Sequence, residues 1–196
     1  MKLIQEIKKH SARKIALLMR HGDREQIPSG EFGNEIMLNE KGKQRSIEFG
    51  EGLKEFPVVK IYTSPIPRCI QTAQLIAQGF GKDLEIIQSK CLGDPGLHTL
   101  DEKIAGEFYL KHGFHEMLRR FVNNEDIPGV PDIKQLKDTM TDFLTSSTND
   151  DGLTVFVTHD SLIAMFQHCI DGTIYTVDNW VDYLEGMVFK IDDRKE

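Results

Sequence analysis

The chain of 196 residues contains 39% hydrophobic and 28% charged residues, a composition typical of one soluble globular domain and too apolar for disorder. Its formal net charge of −7 excludes a broadly basic surface for nucleic acid or for anionic membranes. Apolar runs such as residues 15–19 fall far short of the about 20 residues needed to span a bilayer, so no membrane partner is expected.

Short β-branched or apolar runs alternate along the chain with longer stretches whose apolar residues recur every three or four positions. The runs predict strands at residues 14–19, 58–63, 84–87, 153–158 and 186–191. The longer stretches predict helices at residues 39–56, 67–79, 101–123, 132–147 and 161–171. Because this alternation favours crossover units, the sequence predicts a single α/β domain over residues 1–196. The expected architecture is a three-layer sandwich with a mostly parallel central sheet and helices on both faces.

Two segments depart from this alternation. Residues 89–148 contain no convincing strand and are predicted to form a helical cap over one end of the sheet, with a surface loop at 127–131. The final strand follows residues 180–183 too closely for a helical crossover. It is therefore predicted to run antiparallel at an edge of the sheet.

Polar clusters follow three of the predicted strands directly. Arg20, His21 and Arg24 follow the first strand. Arg68 follows the second strand, and His159 and Asp160 follow the fourth. The carboxyl ends of parallel strands share one crevice, where ligands bind. We therefore expect these residues to meet in a single site.

This set of residue types favours phosphoryl chemistry. Arginine presents a planar donor fork that matches phosphate oxygens and keeps its charge, so clustered arginines favour a bound anion. A neutral histidine among them can attack phosphorus, and a second histidine can hold the oxygens. Asp160 is a candidate general acid, because a bound phosphate dianion would raise the pKa of its carboxyl group.

Each of these residues also has a structural interpretation. His21 and His159 could be buried core histidines, and Arg68 a solvated helix residue. Arg24 could pair with a neighbouring acid, and Asp160 could be the N-cap of the following helix.

The motifs resemble those of the histidine phosphatase superfamily, which includes phosphoglycerate mutases and histidine acid phosphatases. Arg20-His21-Gly22 is similar to its R-H-G signature. Three further stretches resemble its other motifs in the same order: Leu38-x-x-x-Gly42, Ser64-Pro65-x-x-Arg68-x-x-x-Thr72-Ala73 and Val157-Thr158-His159.

The resemblance implies that His21 is the phosphorylated nucleophile and that Arg20, Arg68 and His159 hold the phosphoryl group. It also implies that neither a metal nor another cofactor takes part. Arg24 and the His159-Asp160 pair resemble the acid-phosphatase branch, in which the aspartate is the proton donor.

In the mutase-like branch the acid is a glutamate in the middle of the chain. Asp94 and Glu107 are therefore alternative acids here. The chain length is similar to that of the mutase-like branch.

The expected function is metal-independent hydrolysis of a small phosphomonoester through a phosphohistidine. A phosphoglycerate mutase-like phosphotransferase and a non-catalytic module that binds a phosphorylated ligand are the alternatives. The substrate and the oligomeric state do not follow from the sequence.

The cysteines and the amino-terminal residues bear on localisation. Cys69, Cys91 and Cys169 lack metal-type spacing and cannot all pair within the chain, and residues 1–14 lack the apolar core of a signal peptide. These features favour reduced thiols in a cytoplasmic protein.

Overall fold

The computed structural model describes residues 2–9, 13–28 and 30–191. Within these ranges the strands are β1 (Lys14–Arg20), β2 (Val58–Thr63), β3 (Glu85–Gln88), β4 (Gly152–Thr158) and β5 (Gly186–Lys190). The helices are α1 (Lys2–Lys8), α2 (Glu40–Gly52), α3 (Pro67–Phe80), α4 (Glu102–His112), α5 (Phe114–Val122), α6 (Ile133–Ser147) and α7 (Asp160–Asp171), with a 3-10 turn at Lys90–Leu92.

The sheet has the strand order β3-β2-β4-β1-β5. The strands β1, β2, β3 and β4 run parallel, whereas β5 pairs with β1 in the antiparallel direction at the edge. This confirms the prediction of a mostly parallel sheet with an antiparallel last strand. The registers of Arg20 with Thr158 and of Thr63 with Val157 bring the carboxyl ends of β1, β4 and β2 to the same edge.

Alternate residues of β1 and β4 face opposite sides of the sheet, and both sides are buried. Leu17 and Met19 pack into a cluster with α1, α2 and α3, while Ala16 and Leu18 pack into a second cluster with α4 to α7. The sheet is therefore covered on both faces, as the predicted three-layer α/β architecture requires.

The region 89–148 differs in detail from the predicted cap. The expected helix at 101–123 is interrupted at Gly113, whose φ of 78° and ψ of 162° end α4 and start α5. Helix α6 packs on the sheet through Phe143, whose ring meets those of Tyr62 and Phe156. Helix α6 is therefore part of a sheet-covering layer, and not of a cap over the end of the sheet. No helix among the described residues is both long and apolar enough to cross a membrane.

Helices α2 and α3 touch through their glycines. A Cβ atom at Gly79 would lie 2.0 Å from the carbonyl oxygen of Ile47, and one at Gly50 would lie 2.1 Å from that of Ile76. The backbones of the two helices thus pack directly against each other. This contact positions α3, whose first turn carries Arg68.

We predict that Gly79→Ala lowers the free energy of unfolding by about 2 kcal/mol, because the added methyl group must push α2 and α3 apart. Urea denaturation would measure this change. The matched control is Gly106→Ala in α4, where the Cβ meets only a side-chain atom of Phe32 at 3.4 Å. That variant should gain up to about 1 kcal/mol from helix propensity. Equal effects of the two substitutions would contradict the prediction.

Candidate active site

Three separate chain segments meet at the carboxyl ends of β1, β2 and β4. Residue His21 follows β1, Arg68 lies in the first turn of α3 after β2, and His159 is the N-cap residue of α7 after β4. All three side chains are buried. The structure therefore brings together the residues that the sequence placed in one crevice.

The imidazole of His21 is held in one tautomer. Its Nδ1 atom lies 2.8 Å from the carbonyl oxygen of Gly22, so Nδ1 carries the proton and donates it. The Nε2 atom accepts a hydrogen bond of 3.0 Å from Nε of Arg68. Burial, together with the nearby His159 and Arg68, holds the pKa of His21 well below its usual value of 6.5. The ring is therefore neutral, with a lone pair on Nε2.

The guanidinium of Arg68 contacts three parts of the chain. Besides His21, its Nη1 donates to the carbonyl oxygen of Gly33 at 2.7 Å, and its Nη2 lies 3.3 Å from Nδ1 of His159. Burial lowers the pKa of Arg68. The hydroxyl of Thr72 donates to the carbonyl of Arg68 and accepts from the backbone N–H of Gly22, which links α3 to the loop after β1.

The second histidine is also neutral. Burial and the charge of Arg68 lower the pKa of His159 to about 3. Because Arg68 donates to Nδ1, the proton of His159 lies on Nε2, which donates to the hydroxyl of Ser64 over 3.0 Å. At Gly93 a Cβ atom would lie 2.7 Å from this Nε2, so only glycine fits at this approach of the 89–96 segment.

The carboxylate of Asp160 forms an ion pair with Arg20. Its Oδ2 lies 2.7 Å from Nη2 of Arg20 and accepts from Nε1 of Trp180 at 3.0 Å. Burial favours a raised pKa for Asp160, but the charge of Arg20 and the Trp180 hydrogen bond lower it below its usual value. Asp160 is the first residue of α7 rather than its N-cap, so the capping interpretation is wrong.

Arg24 lines the cleft, and Arg20 binds Asp160, which also lines it. Their Nε atoms are buried and have no hydrogen-bond partner among the described residues. Arg24 does not pair with Asp23, whose carboxylate binds Arg45 and Lys41 instead. Its Nη1 donates to the backbone carbonyl of Glu25 at 2.8 Å. The unused donors of both arginines remain suited to an anion.

The two alternative acids lie in different places. Asp94 lines the cleft in front of the site, and its carboxylate is 3.6 Å from Nζ of Lys90. Glu107 is exposed on α4 and does not line this cleft. Asp94 is therefore close enough to the site to remain an alternative acid, whereas Glu107 is not.

The cleft has a volume of about 760 Å³ and includes residues that the sequence did not indicate. Among them are His98, Trp180 and Tyr183; the guanidinium of Arg20 lies 3.9 Å from the ring centre of Tyr183. These residues lie in loops, which have no strand or helix periodicity. The one signal in the sequence that could have indicated them is that Trp180 is the single tryptophan of the chain.

Two negative findings apply to the part of the chain that the structure describes. No group of three or more His, Cys, Asp or Glu side chains is placed to hold a metal ion. The three cysteines are free, and burial raises the pKa of the Cys69 thiol, which lies beside His159, to about 12.

Residues 16–180 match the family model of the histidine phosphatase superfamily, branch 1. Since this range is most of the chain, the protein belongs to this superfamily, which confirms the resemblance seen in its motifs. The Arg24 and His159-Asp160 features of the acid-phosphatase pattern thus occur in a chain whose overall match is to branch 1.

Particular relatives include both mutases and phosphatases. The 2,3-bisphosphoglycerate-dependent phosphoglycerate mutase of Thermoplasma acidophilum is 36% identical over 98 residues, which are 48% of this chain and 48% of the mutase. The matched part thus spans about half the length of that curated relative.

Solved structures with the same fold include phosphoglycerate mutase from Bacillus anthracis, with 20% identity, coverage of 91% of this chain and 89% of that chain, and a TM-score of 0.60. Another is phosphoserine phosphatase from Entamoeba histolytica in complex with 3-phosphoglyceric acid, with 23% identity, coverage of 80% and 79%, and a TM-score of 0.55. At these identities the likeness concerns the fold.

The buried imidazole of His98 should make the stability of the protein depend on pH. Its Nδ1 is buried without a partner among the described residues, and burial lowers the pKa of the imidazole from 6.5 to about 4. The unfolded chain therefore takes up this proton more readily than the folded chain. Stability falls as the pH drops below 6.5 and levels off below about 4.

Between pH 7 and pH 5 we predict that the wild type loses about 2 kcal/mol more unfolding free energy than His98→Gln. Urea denaturation at both pH values measures the two losses. Glutamine does not titrate, so the difference isolates this imidazole, and parallel losses would show that His98 is not buried as a neutral group.

Proposed function

We propose that the protein hydrolyses a phosphomonoester in two steps through a phosphohistidine on His21, without a metal. The proposal rests above all on one observation: the unprotonated Nε2 of a buried, neutral His21 lies beside Arg68 and His159 at the shared strand ends. A neutral imidazole with a fixed tautomer is a competent nucleophile toward phosphorus.

The binding of the phosphoryl group is assigned to Arg20, Arg24, Arg68 and His159. Guanidinium groups brought to 4 Å of each other repel by about 4 kcal/mol at an effective dielectric of 20, so a bound dianion relieves the cluster. Charge-assisted hydrogen bonds to phosphate oxygens are also stronger than those that Arg68 makes to neutral imidazoles. Its donors can therefore turn to the phosphoryl group when substrate binds.

In the first step Nε2 of His21 attacks phosphorus in line, the N–P bond forms and the bond to the leaving oxygen breaks. The four binding groups stabilise the charge on the equatorial oxygens. In the second step water attacks phosphorus, the N–P bond breaks and its electron pair returns to Nε2. Inorganic phosphate is then released.

Asp160 is proposed as the general acid of the first step and the general base of the second. In the empty site its ion pair with Arg20 keeps the carboxyl group ionised. A substrate dianion that takes up donors of Arg20 weakens this pair and adds nearby negative charge, and both effects raise the pKa of Asp160. The carboxyl group can then give its proton to the leaving oxygen and later accept one from water.

A mutase is the second candidate, because the curated relative over half of the chain is a phosphoglycerate mutase. It would use the same phosphohistidine but return the phosphoryl group to the product. Labelled phosphate separates the two reactions: a hydrolase transfers the label to water, and a mutase keeps it on the sugar acid. A module that only binds phosphorylated ligands would show neither reaction.

We predict that His21→Ala abolishes turnover of a chromogenic aryl phosphate, because the substitution removes the proposed nucleophile Nε2. The loss should exceed about 10⁴-fold, while binding of inorganic phosphate persists, as measured by thermal shift. Residual activity close to that of the wild type would refute the phosphohistidine.

We predict that Asp160→Asn lowers kcat/KM for an alkyl phosphate by about 10²- to 10⁴-fold, since a poor leaving oxygen needs a proton. The decrease should be much smaller for p-nitrophenyl phosphate, whose leaving group departs without one. Asp94→Asn is the matched variant for the alternative acid. If it, and not Asp160→Asn, shows this dependence on the leaving group, the assignment passes to Asp94.

A further inference from the structure

Aromatic side chains form the walls of the cleft beyond the phosphoryl site. The rings of Phe32 and Tyr109 are stacked, with centroids 5.2 Å apart and planes 18° from parallel. Trp180 lies edge-on to Phe114, with ring centroids 5.8 Å apart. All four side chains line the cleft, and the side chain of Phe32 is 46% exposed there.

The charges of the cleft are not arranged for a second anion. Its lining includes two arginines, Arg24 and Arg68, and three carboxylates, Asp94, Glu102 and Asp160. Over residues 2–9, 13–28 and 30–191, no lysine contributes to this lining.

Both arginines lie close to the phosphoryl site. Arg68 contacts His21 directly, and Arg24 acts electrostatically on Arg68 and His159. Once a phosphoryl dianion occupies them, the outer cleft keeps Glu102 and Asp94, whose carboxylate already has Lys90 as a partner. A carboxylate or second phosphate on the leaving group would therefore meet the charge of Glu102 and no further arginine or lysine of this lining, which disfavours it.

Flat apolar groups suit these walls. An aromatic ring that contacts these side chains would bury apolar surface and could adopt favourable ring geometry with them. A polar aliphatic chain would gain little there and would lose hydration.

We propose that the substrate is the phosphate monoester of an aromatic alcohol that carries no second carboxylate or phosphate. This proposal rests on the proposed function, because it assumes that the phosphoryl group binds beside His21. It also favours hydrolysis over mutase activity, since phosphoglycerates carry a carboxylate.

The test uses phosphonates, which cannot be hydrolysed, so it measures binding separately from turnover. Isothermal titration calorimetry on the wild type compares benzylphosphonate, 3-phosphonopropionate and methylphosphonate. Trp180 is the only tryptophan of the chain, so its fluorescence gives a second measure of occupancy in the same cleft. We expect benzylphosphonate to bind at least about tenfold more tightly than methylphosphonate, and 3-phosphonopropionate no more tightly than methylphosphonate.

Two variants locate the preference. Phe32→Ala should lower the affinity for benzylphosphonate about fivefold and leave methylphosphonate unchanged. Leu110→Ala is the matched control, because Leu110 is also 46% exposed but does not line the cleft. It should bind all three compounds like the wild type.

Binding of 3-phosphonopropionate as tight as that of benzylphosphonate would overturn the proposal, as would an unchanged preference in Phe32→Ala. If neither methylphosphonate nor inorganic phosphate binds, the phosphoryl site itself is refuted and the proposed function fails with it. Tight binding of methylphosphonate without aryl preference refutes the substrate class alone.

The aryl group could come from a free small molecule or from a tyrosine side chain of a protein. Values of kcat/KM for phenyl phosphate and for a phosphotyrosine pentapeptide with blocked termini and no acidic residues distinguish these sources, and a clear excess of either over 3-phosphoglycerate supports the shared chemistry. A value for 3-phosphoglycerate above both would contradict it.

Discussion

The buried guanidinium of Arg68 is the interaction on which the geometry of the site depends. Its three nitrogens bind His21, His159 and the carbonyl of Gly33, so one cation connects the ends of β1 and β4 to the loop that contributes Phe32 to the cleft. Neither imidazole could accept these bonds if it were protonated at the nitrogen concerned. The charged Arg68 therefore depends on two neutral histidines as acceptors. Because neutral imidazoles do not compensate its charge, the guanidinium keeps a net positive charge in the site.

The ion pair between Arg20 and Asp160 gives the site a second property. It keeps the carboxylate of Asp160 ionised beside a guanidinium that the proposed mechanism also uses for the phosphoryl group. In that mechanism, competition for one guanidinium links ligand binding to the protonation of the carboxyl group. The indole of Trp180 binds the same carboxylate oxygen, so the aromatic wall of the cleft contacts the proposed acid directly.

The sequence predicted the parts of this site that depend on regular structure. The apolar runs before Arg20 and His159 had to be buried strands, and parallel strands had to bring their ends together. The contributions of Phe32, His98 and Trp180 could not be predicted, because the paths of their loops depend on tertiary contacts. The interruption at Gly113 was missed for a related reason, since the apolar spacing continues across it while the backbone does not.

The phosphoryl site and the outer cleft come from different parts of the chain, and this limits what membership of the superfamily implies. The strand ends carry the shared motifs and, in the proposed function, hold the phosphoryl group. The loop around Phe32, helices α4 and α5 and the segment at Trp180 line the outer cleft. Because these segments lie outside the motifs, their chemistry can change while the transfer site stays the same. The proposed phosphohistidine is therefore compatible with phosphatase and mutase activity alike, and we expect the charge and shape of the outer cleft to decide between them.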